Sequence, residues 1–493
     1  MANTSAVTRG LIAGGRSRRS LLASLVGVPV AWCAAAVFFA PPTARGQSPG
    51  PLRVATFRCD VTPPLGEPMI SCDAIRTIEQ PLLAKGIVLE AAGKRYVLCS
   101  VDWCELCNAA YDSMRARIAS AAGTDPSGVA LQTVHQHTAP VVDTAAQKLL
   151  AEAGLERLHL SPTAYEQIED RLAAAVRQSL AGLQPFDRVG TGQAKVDRVA
   201  ATRRPVDAAG KIRVRYSTCK DPSVRALDEG TIDPYVKTIT LARGDKPLVR
   251  LHYYATHPQT PYGDGRASSD FVGEAREALE KKEGVFQIYF TGCGGDITVG
   301  KYNDGSKQCR VELARRMLAG LEASVAATRL VPAGPVRWRT HPLLLRPRTD
   351  AGFSADDCIA RMKNPKVAPA LRAYAGAVRI AFHQRKNQPI ECTSLQIGDV
   401  YIVNLPGEPM LCFQTFAQAA RPGGFVAVAG YGDCATGYIC PAKAFQEGGY
   451  EPTDANVEPG SEVLLKKAIA SLLGVESAPG VAGKDAKHES ARP

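Results

Sequence analysis

The sequence predicts a mixed α/β (α+β) chain, one large domain of mixed β-sheets flanked by helices. Three observations carry this. Strand-like and helix-like stretches alternate from about residue 50 to about 475; no Pro- or Ser-rich linker divides that span; and the 493 residues are 45% hydrophobic and 22% charged, an ordinary globular balance. No internal repeat is visible in the residue pattern.

Apolar, β-branched runs predict strands at 52–57, 86–89, 95–101, 129–134, 236–242, 249–255, 285–290, 399–405 and 424–429. The clearest helix follows Ser161-Pro162-Thr163. There Ile168, Leu172, Ala175, Val176 and Leu183 recur at helical spacing behind a capping serine and an early proline. Further helices are expected at 109–121, 271–282, 309–326, 368–384 and 462–473.

Residues 1–46 read as an export signal. Arg9, Arg16, Arg18 and Arg19 precede an uncharged stretch, LLASLVGVPVAWCAAAVFFA, and a small-residue exit before Gln47. Ser17-Arg18-Arg19-Ser20-Leu21-Leu22 resembles a twin-arginine signal. An uncleaved membrane anchor is the competing reading, because 20 apolar residues can span a bilayer. The main domain is expected over 47–475. The Gly-, Ala-, Lys- and Ser-rich stretch 476–493 is expected to be a disordered tail.

Of the net charge of +11, five units come from the five arginines of residues 1–50, which contain no acids. No dense Lys/Arg block with interleaved aromatics occurs, which argues against a nucleic-acid partner. Thirteen of the 14 cysteines lie beyond the leader, so an odd count leaves at least one thiol free. Cys104 and Cys107 form a lone C-x-x-C, read as a local disulfide or as core thiols.

Five stretches carry chemically capable residues at strand ends. Val134-His135-Gln136-His137 places two imidazoles on one face if the strand continues through them. A second strand ends in Ala255-Thr256-His257. A third runs into Gly292-Cys293-Gly294-Gly295-Asp296-Ile297-Thr298, and a fourth ends in Pro406-Gly407-Glu408. The fifth stretch holds Tyr438, with Tyr450 twelve residues later. Each alone reads more simply as a structural hydrogen-bonder, a helix start or a packing tyrosine. Together, two histidines and a glutamate are the donor types of a catalytic zinc, which uses three protein ligands and an open position.

The order of these motifs resembles the catalytic domain of the neutral/alkaline, non-lysosomal ceramidases, zinc amidases that cut the N-acyl bond of ceramide. VHQHTAP (134–140) is similar to their T-H-T-H-S-G-P, and ATHPQT (255–260) to A-T-H-G-T-S. Gly295–Gly300 is similar to their G-D/N-x-S-P-N loop, and Pro406-Gly407-Glu408-Pro409 to P-x-E-F/P. Gly437-Tyr438-Ile439 with Gly449-Tyr450-Glu451 is similar to G-Y-V-T-T followed by Y-E-G. The resemblance implies His135, His257, Glu408 and Tyr438 as Zn2+ ligands. It also implies Thr298, His137, Tyr450 and Arg203 around the reacting centre.

Two departures bear on function. The family's loop serine is Thr298 here, a more hindered nucleophile, so metal-activated water is favoured. The family's C-terminal immunoglobulin-like domain is not expected after residue 475. The expectation is therefore an exported zinc-dependent amide hydrolase acting on a small-molecule N-acyl amide or lipid, with peripheral membrane contact as an option. The alternatives are a non-catalytic or altered-substrate protein keeping the fold, or a zinc hydrolase of another bond. The stretch around 350–387 is a candidate for shaping the pocket mouth.

Overall fold

The structure, a computed structural model, describes residues 51–475; the expected leader at 1–46 and tail at 476–493 lie outside the described residues. Three main sheets form the domain, and each is built from the same unit.

In the first unit, Arg53–Asp60, Leu83–Ala91 and Lys94–Val101 run antiparallel. Helix Asn108–Ala122 then crosses over to Val129–Thr133, which pairs parallel with Lys94–Val101. The second unit repeats this with Arg188–Lys195, Tyr235–Arg243, Lys246–Tyr254, helix Asp270–Glu283 and Phe286–Thr291. The third uses Val336–Leu343, Ile390–Ile397, Val400–Asn404, helix Leu411–Ala420 and Phe425–Ala429. Strand order is the same in all three, with short strands Gln184–Pro185 and Arg329–Pro332 added to the outer edges of the first two sheets.

This internal repeat is absent from the residue pattern for a physical reason. Each unit needs only apolar strands, a tight second hairpin and a crossover helix, and many sequences meet that requirement. The recurring local signal is the two-residue hairpin turn at Ala92-Gly93, Gly244-Asp245 and Gly398-Asp399. Its left-handed residues (φ 50° at Ala92, 74° at Gly93, 56° at Gly244 and 59° at Gly398) match the twist of the flanking strands.

The sheets share one central core. Ile87, Leu89 and Leu98 from the first meet Ile239, Leu251 and Phe290 from the second and Leu395, Ile402 and Ala427 from the third. The crossover helices cover the outer faces, with a second cluster around Phe271, Met317 and Leu321 beside the second sheet. Backbone-directed bonds join the units where the parallel strands end. Gln132 Nε2 donates to Gly430 O at 2.8 Å, Gly430 N to Thr291 O at 2.9 Å, and Thr291 Oγ1 to Val134 O at 2.7 Å.

Helix Pro162–Ser179 begins as its sequence predicts, with Ser161 Oγ accepting from Ala164 N at 3.3 Å. The helix expected at 368–384 is interrupted: Pro369–Arg372 and Arg379–Gln384 flank a π-helical turn at Ala373–Val378. All thirteen described cysteines are free, so Cys104 and Cys107 are buried core thiols rather than a disulfide. No helix among the described residues is long and apolar enough to cross a membrane.

Candidate metal centre and its pocket

Ligand sites in sheets of this kind gather beyond the carboxyl ends of parallel strands, and here three such ends converge. The first strand stops at Thr133, two residues before His135. His135 adopts φ 69°, left-handed for a residue with a side chain. The same-face arrangement expected for His135 and His137 on a continuing strand is therefore not what is found. The two rings meet edge to face, centroids 5.0 Å apart and planes at 86°. His135 is fixed by Nδ1, 2.9 Å from Cys104 O, and by stacking on Tyr431 at 4.4 Å.

His257 follows strand Lys246–Tyr254, and its Nδ1 lies 2.7 Å from Gly294 O and 3.0 Å from Ile297 O. The glycine-rich turn thus serves as the cradle of this ring. Carbonyl oxygens only accept, so both Nδ1 atoms carry the proton and both Nε2 atoms present lone pairs. Those lone pairs point at one atom: Glu408 Oε2 is 3.0 Å from His257 Nε2 and 3.1 Å from His135 Nε2. His135 Nε2 has no aligned hydrogen-bond partner. Three buried electron-pair donors facing one another at hydrogen-bond distance need a cation or added protons between them. Burial opposes the added proton on His257, pushing its pKa down to about 4, with Arg203 adding to that. Burial also disfavours the Glu408 carboxylate, and what holds Glu408 well below the usual range is positive charge at the facing His135 and His257, a charge that an ion between them would supply instead.

Tyr438 pairs in register with Glu408 across a short parallel bridge. Its Oη lies 3.4 Å from His257 Nε2 and accepts from Arg203 Nη1 at 2.7 Å. Burial pushes the Tyr438 phenol up, and Arg203 opposes that shift. Arg203 is itself buried, sits 5.5 Å from the Tyr438 ring centre and 5.3 Å from that of Tyr450, and leaves Nε without a partner. The structure thus brings His135, His257, Glu408, Tyr438, Arg203, Tyr450 and His137 together. Neither ring nitrogen of His137 has a partner, and burial with the neighbouring His135 and His257 keeps the ring neutral.

Thr298 is placed differently. It is buried on a two-residue strand paired with Ala201, and its Oγ1 donates to Ser217 Oγ at 3.0 Å and accepts from Gly300 N at 3.1 Å. It does not line the cavity in front of the histidines, which measures about 160 Å³. Apolar groups such as Met69, Val141, Leu158 and Leu371 form much of that cavity, so residues within 350–387 do contribute to its wall. Sequence reasoning missed Glu105, His159, Tyr374 and Asp454, all polar residues of the cavity wall. Only Glu105 had a local signal: it follows strand Lys94–Val101 as Glu408 follows Val400–Asn404, four residues beyond the strand end. A larger groove of about 970 Å³ holds Asp296, Arg204 and Cys412 but none of the histidines.

The donors that can gather on one metal ion are His135, His257 and Glu408, all buried, with Tyr438 beside them. A second grouping, Cys104 with His135 and His137, is less suited. Burial and the neighbouring carboxyls keep the Cys104 thiol protonated, and His135 Nδ1 is already committed to Cys104 O.

Fold and cluster together define a three-unit α+β scaffold with a candidate metal centre where the units meet. Two solved structures share the fold. Neutral ceramidase from Pseudomonas aeruginosa matches with TM-score 0.65 and 16% identity, over 86% of this chain and 75% of that one. A ceramidase complexed with C2 matches with TM-score 0.64 and 15% identity, over 88% and 78%. No protein-family model and no curated protein matches the chain. The chain has the neutral ceramidase fold.

Proposed function

We propose that this chain is an exported zinc-dependent amide hydrolase acting on an N-acyl amine, of which ceramide-like lipid amides are one class. The observation that carries the proposal is the convergence of His135 Nε2 and His257 Nε2 on Glu408 Oε2, with both outer nitrogens fixed by carbonyls. The likeness to solved ceramidases supports the bond type, and the leader-like start of the sequence supports export. His135, His257, Glu408 and Tyr438 would hold the ion. A zinc ion there supplies a Lewis acid and brings a water pKa to about 7.

The chain's own groups divide the remaining work. Arg203 holds the Tyr438 oxygen in place and keeps positive charge beside it, which favours the electron-rich form of that phenol. Tyr450, its phenol kept protonated mainly by burial, is an O–H donor for a carbonyl oxygen that gains charge. His137 is neutral and unpartnered, so it can take a proton from the attacking water and return one to the leaving amine. The Thr298 hydroxyl, engaged with Ser217, favours water over a covalent threonine intermediate.

The test is metal analysis of freshly purified protein by mass spectrometry. One zinc per chain, lost in His257→Ala and in Glu408→Ala, is expected; protein purified without any metal overturns the proposal. Hydrolysis of an N-acyl amine panel by the zinc-loaded protein then reads the bond type.

A further inference from the structure

Each of the three units places an ionisable residue three or four positions beyond its third strand. The second unit has His257 after Tyr254 and the third has Glu408 after Asn404; the first has Glu105 after Val101. Two of these three corners belong to the metal centre. Glu105 belongs to the same cavity, yet it meets neither histidine nitrogen in a hydrogen bond, and among the described residues its carboxyl receives only the weak Cys107 S–H contact at 3.6 Å.

Two other polar groups on this wall are also without partners. His159 is 1% exposed, with Nδ1 3.2 Å from Val141 O, so Nε2 is the acceptor nitrogen and has no hydrogen-bond partner. The Tyr374 hydroxyl has none either. It is carried on the π-helical turn, a rare backbone form that recurs at functional sites and here brings Ala373 and Tyr374 to the cavity together. Buried polar groups without partners are costly unless a ligand or water completes them. The surrounding wall is apolar, and a volume of about 160 Å³ is close to that of a cavity of about 150 Å³ that takes up benzene.

We propose that Glu105, His159 and Tyr374 form a polar recognition site in the acyl pocket, selecting a compact acyl group of benzoyl size that carries a hydroxyl. A hydroxyl is both donor and acceptor, so it can give its proton to His159 Nε2 while receiving one from Glu105 or Tyr374. Burial raises the Glu105 carboxyl well above the usual range, which supports an O–H there, and the Tyr374 hydroxyl can donate beside it. Glu105 is thus a specificity-determining residue rather than a fourth metal ligand. The proposal rests on the amide-hydrolase reading for its use of the word acyl, but the recognition site itself can be read by binding alone.

The experiment uses the metal-loaded protein and one leaving amine, ethanolamine, acylated with benzoyl, 3-hydroxybenzoyl, 4-hydroxybenzoyl, hexanoyl or palmitoyl. At least one hydroxybenzoyl amide should exceed the benzoyl amide by about tenfold in kcat/KM, the worth of one well-made hydrogen bond. Palmitoyl should fall below hexanoyl. Glu105→Met should bring the hydroxybenzoyl-to-benzoyl ratio close to one, and Glu105→Gln should keep part of it. In parallel, calorimetric titration with benzoate and the two hydroxybenzoates reads the pocket without turnover. A wild-type protein with no hydroxyl preference in either assay overturns the proposal, as does a Glu105→Met ratio equal to that of wild type. If no amide is cleaved but a hydroxybenzoate still binds about tenfold tighter than benzoate, the hydrolase reading fails and the recognition site stands. If amides are cleaved without hydroxyl preference, the reverse holds.

Discussion

Thr291 Oγ1 donates to Val134 O at 2.7 Å, tying the end of the second unit's last strand to the residue just before His135. The bond is buried and joins two sheets, so the carbonyl left behind would find no water. Thr291→Val, which keeps the shape, should cost about 1–3 kcal/mol in denaturant unfolding, the penalty of an orphaned buried acceptor. It should also weaken metal retention, because His135 loses its support from behind. Unchanged stability would show that the contact is not made in solution.

The two members of His-x-His should behave differently. His135→Ala removes a nitrogen 3.1 Å from Glu408 and should release the metal. His137→Ala removes an unpartnered ring and should retain the metal while lowering kcat. Metal content measured beside initial rates separates the two, and the opposite pattern would exchange their roles.

Thr298→Val deletes a hydroxyl that donates to Ser217 and accepts from Gly300 N. Hydrolysis should persist within about tenfold of wild type, since a lost nucleophile costs several orders of magnitude. Stability should fall by about 1 kcal/mol for the lost hydrogen bond. Complete inactivation of a folded variant would restore the hydroxyl as nucleophile.

His252 is buried between Thr238 Oγ1 at 2.9 Å and Gln287 Oε1 at 2.7 Å, and burial pushes its pKa down to about 4. The unfolded chain therefore binds a proton at His252 that the folded chain refuses between pH 6.5 and 4. Stability is full above pH 6.5 and declines as pH falls toward 4. At pH 5 this one ring should account for about 2 kcal/mol lost relative to pH 7. His252→Gln should flatten that part of the pH profile in denaturant titrations; an unaltered slope would contradict the assignment.

The thirteen cysteines from Cys59 onward should all titrate as thiols in denatured, unreduced protein. In the native protein the buried thiols should be silent, and even the half-buried Cys72 and Cys412 should react slowly, since burial pushes both up to about 12 and keeps them protonated. Fewer thiols on denaturation would reveal disulfides formed after folding.

The strands and the residues that gather in the candidate metal centre were legible because their signals are local. An apolar run that ends in His135, His257 or Glu408 announces a strand mouth within ten residues of sequence. The turn at His135 was not legible, because a left-handed histidine is imposed by Cys104 O and Tyr431 from outside the segment. The partner of Thr298 was hidden for the same reason: Ser217 is 81 residues away. The threefold repeat left almost no trace, since packing against a common core constrains volume and polarity more than identity. Glu105 was passed over because the neighbouring cysteines drew the reading toward sulfur chemistry, although its place after the strand matched that of Glu408.

No single unit owns the site. His257 is 151 residues from Glu408 and 181 from Tyr438, and each comes from a different corner of the scaffold than His135. Contacts so distant along the chain carry a loop-closure entropy that is met before they are rewarded. An ion held by these residues would therefore be gathered only after the last unit has been synthesised and docked. On the proposed reading, metal capture would be a checkpoint on completed assembly, and the compartment in which that docking occurs would govern which ion is on offer.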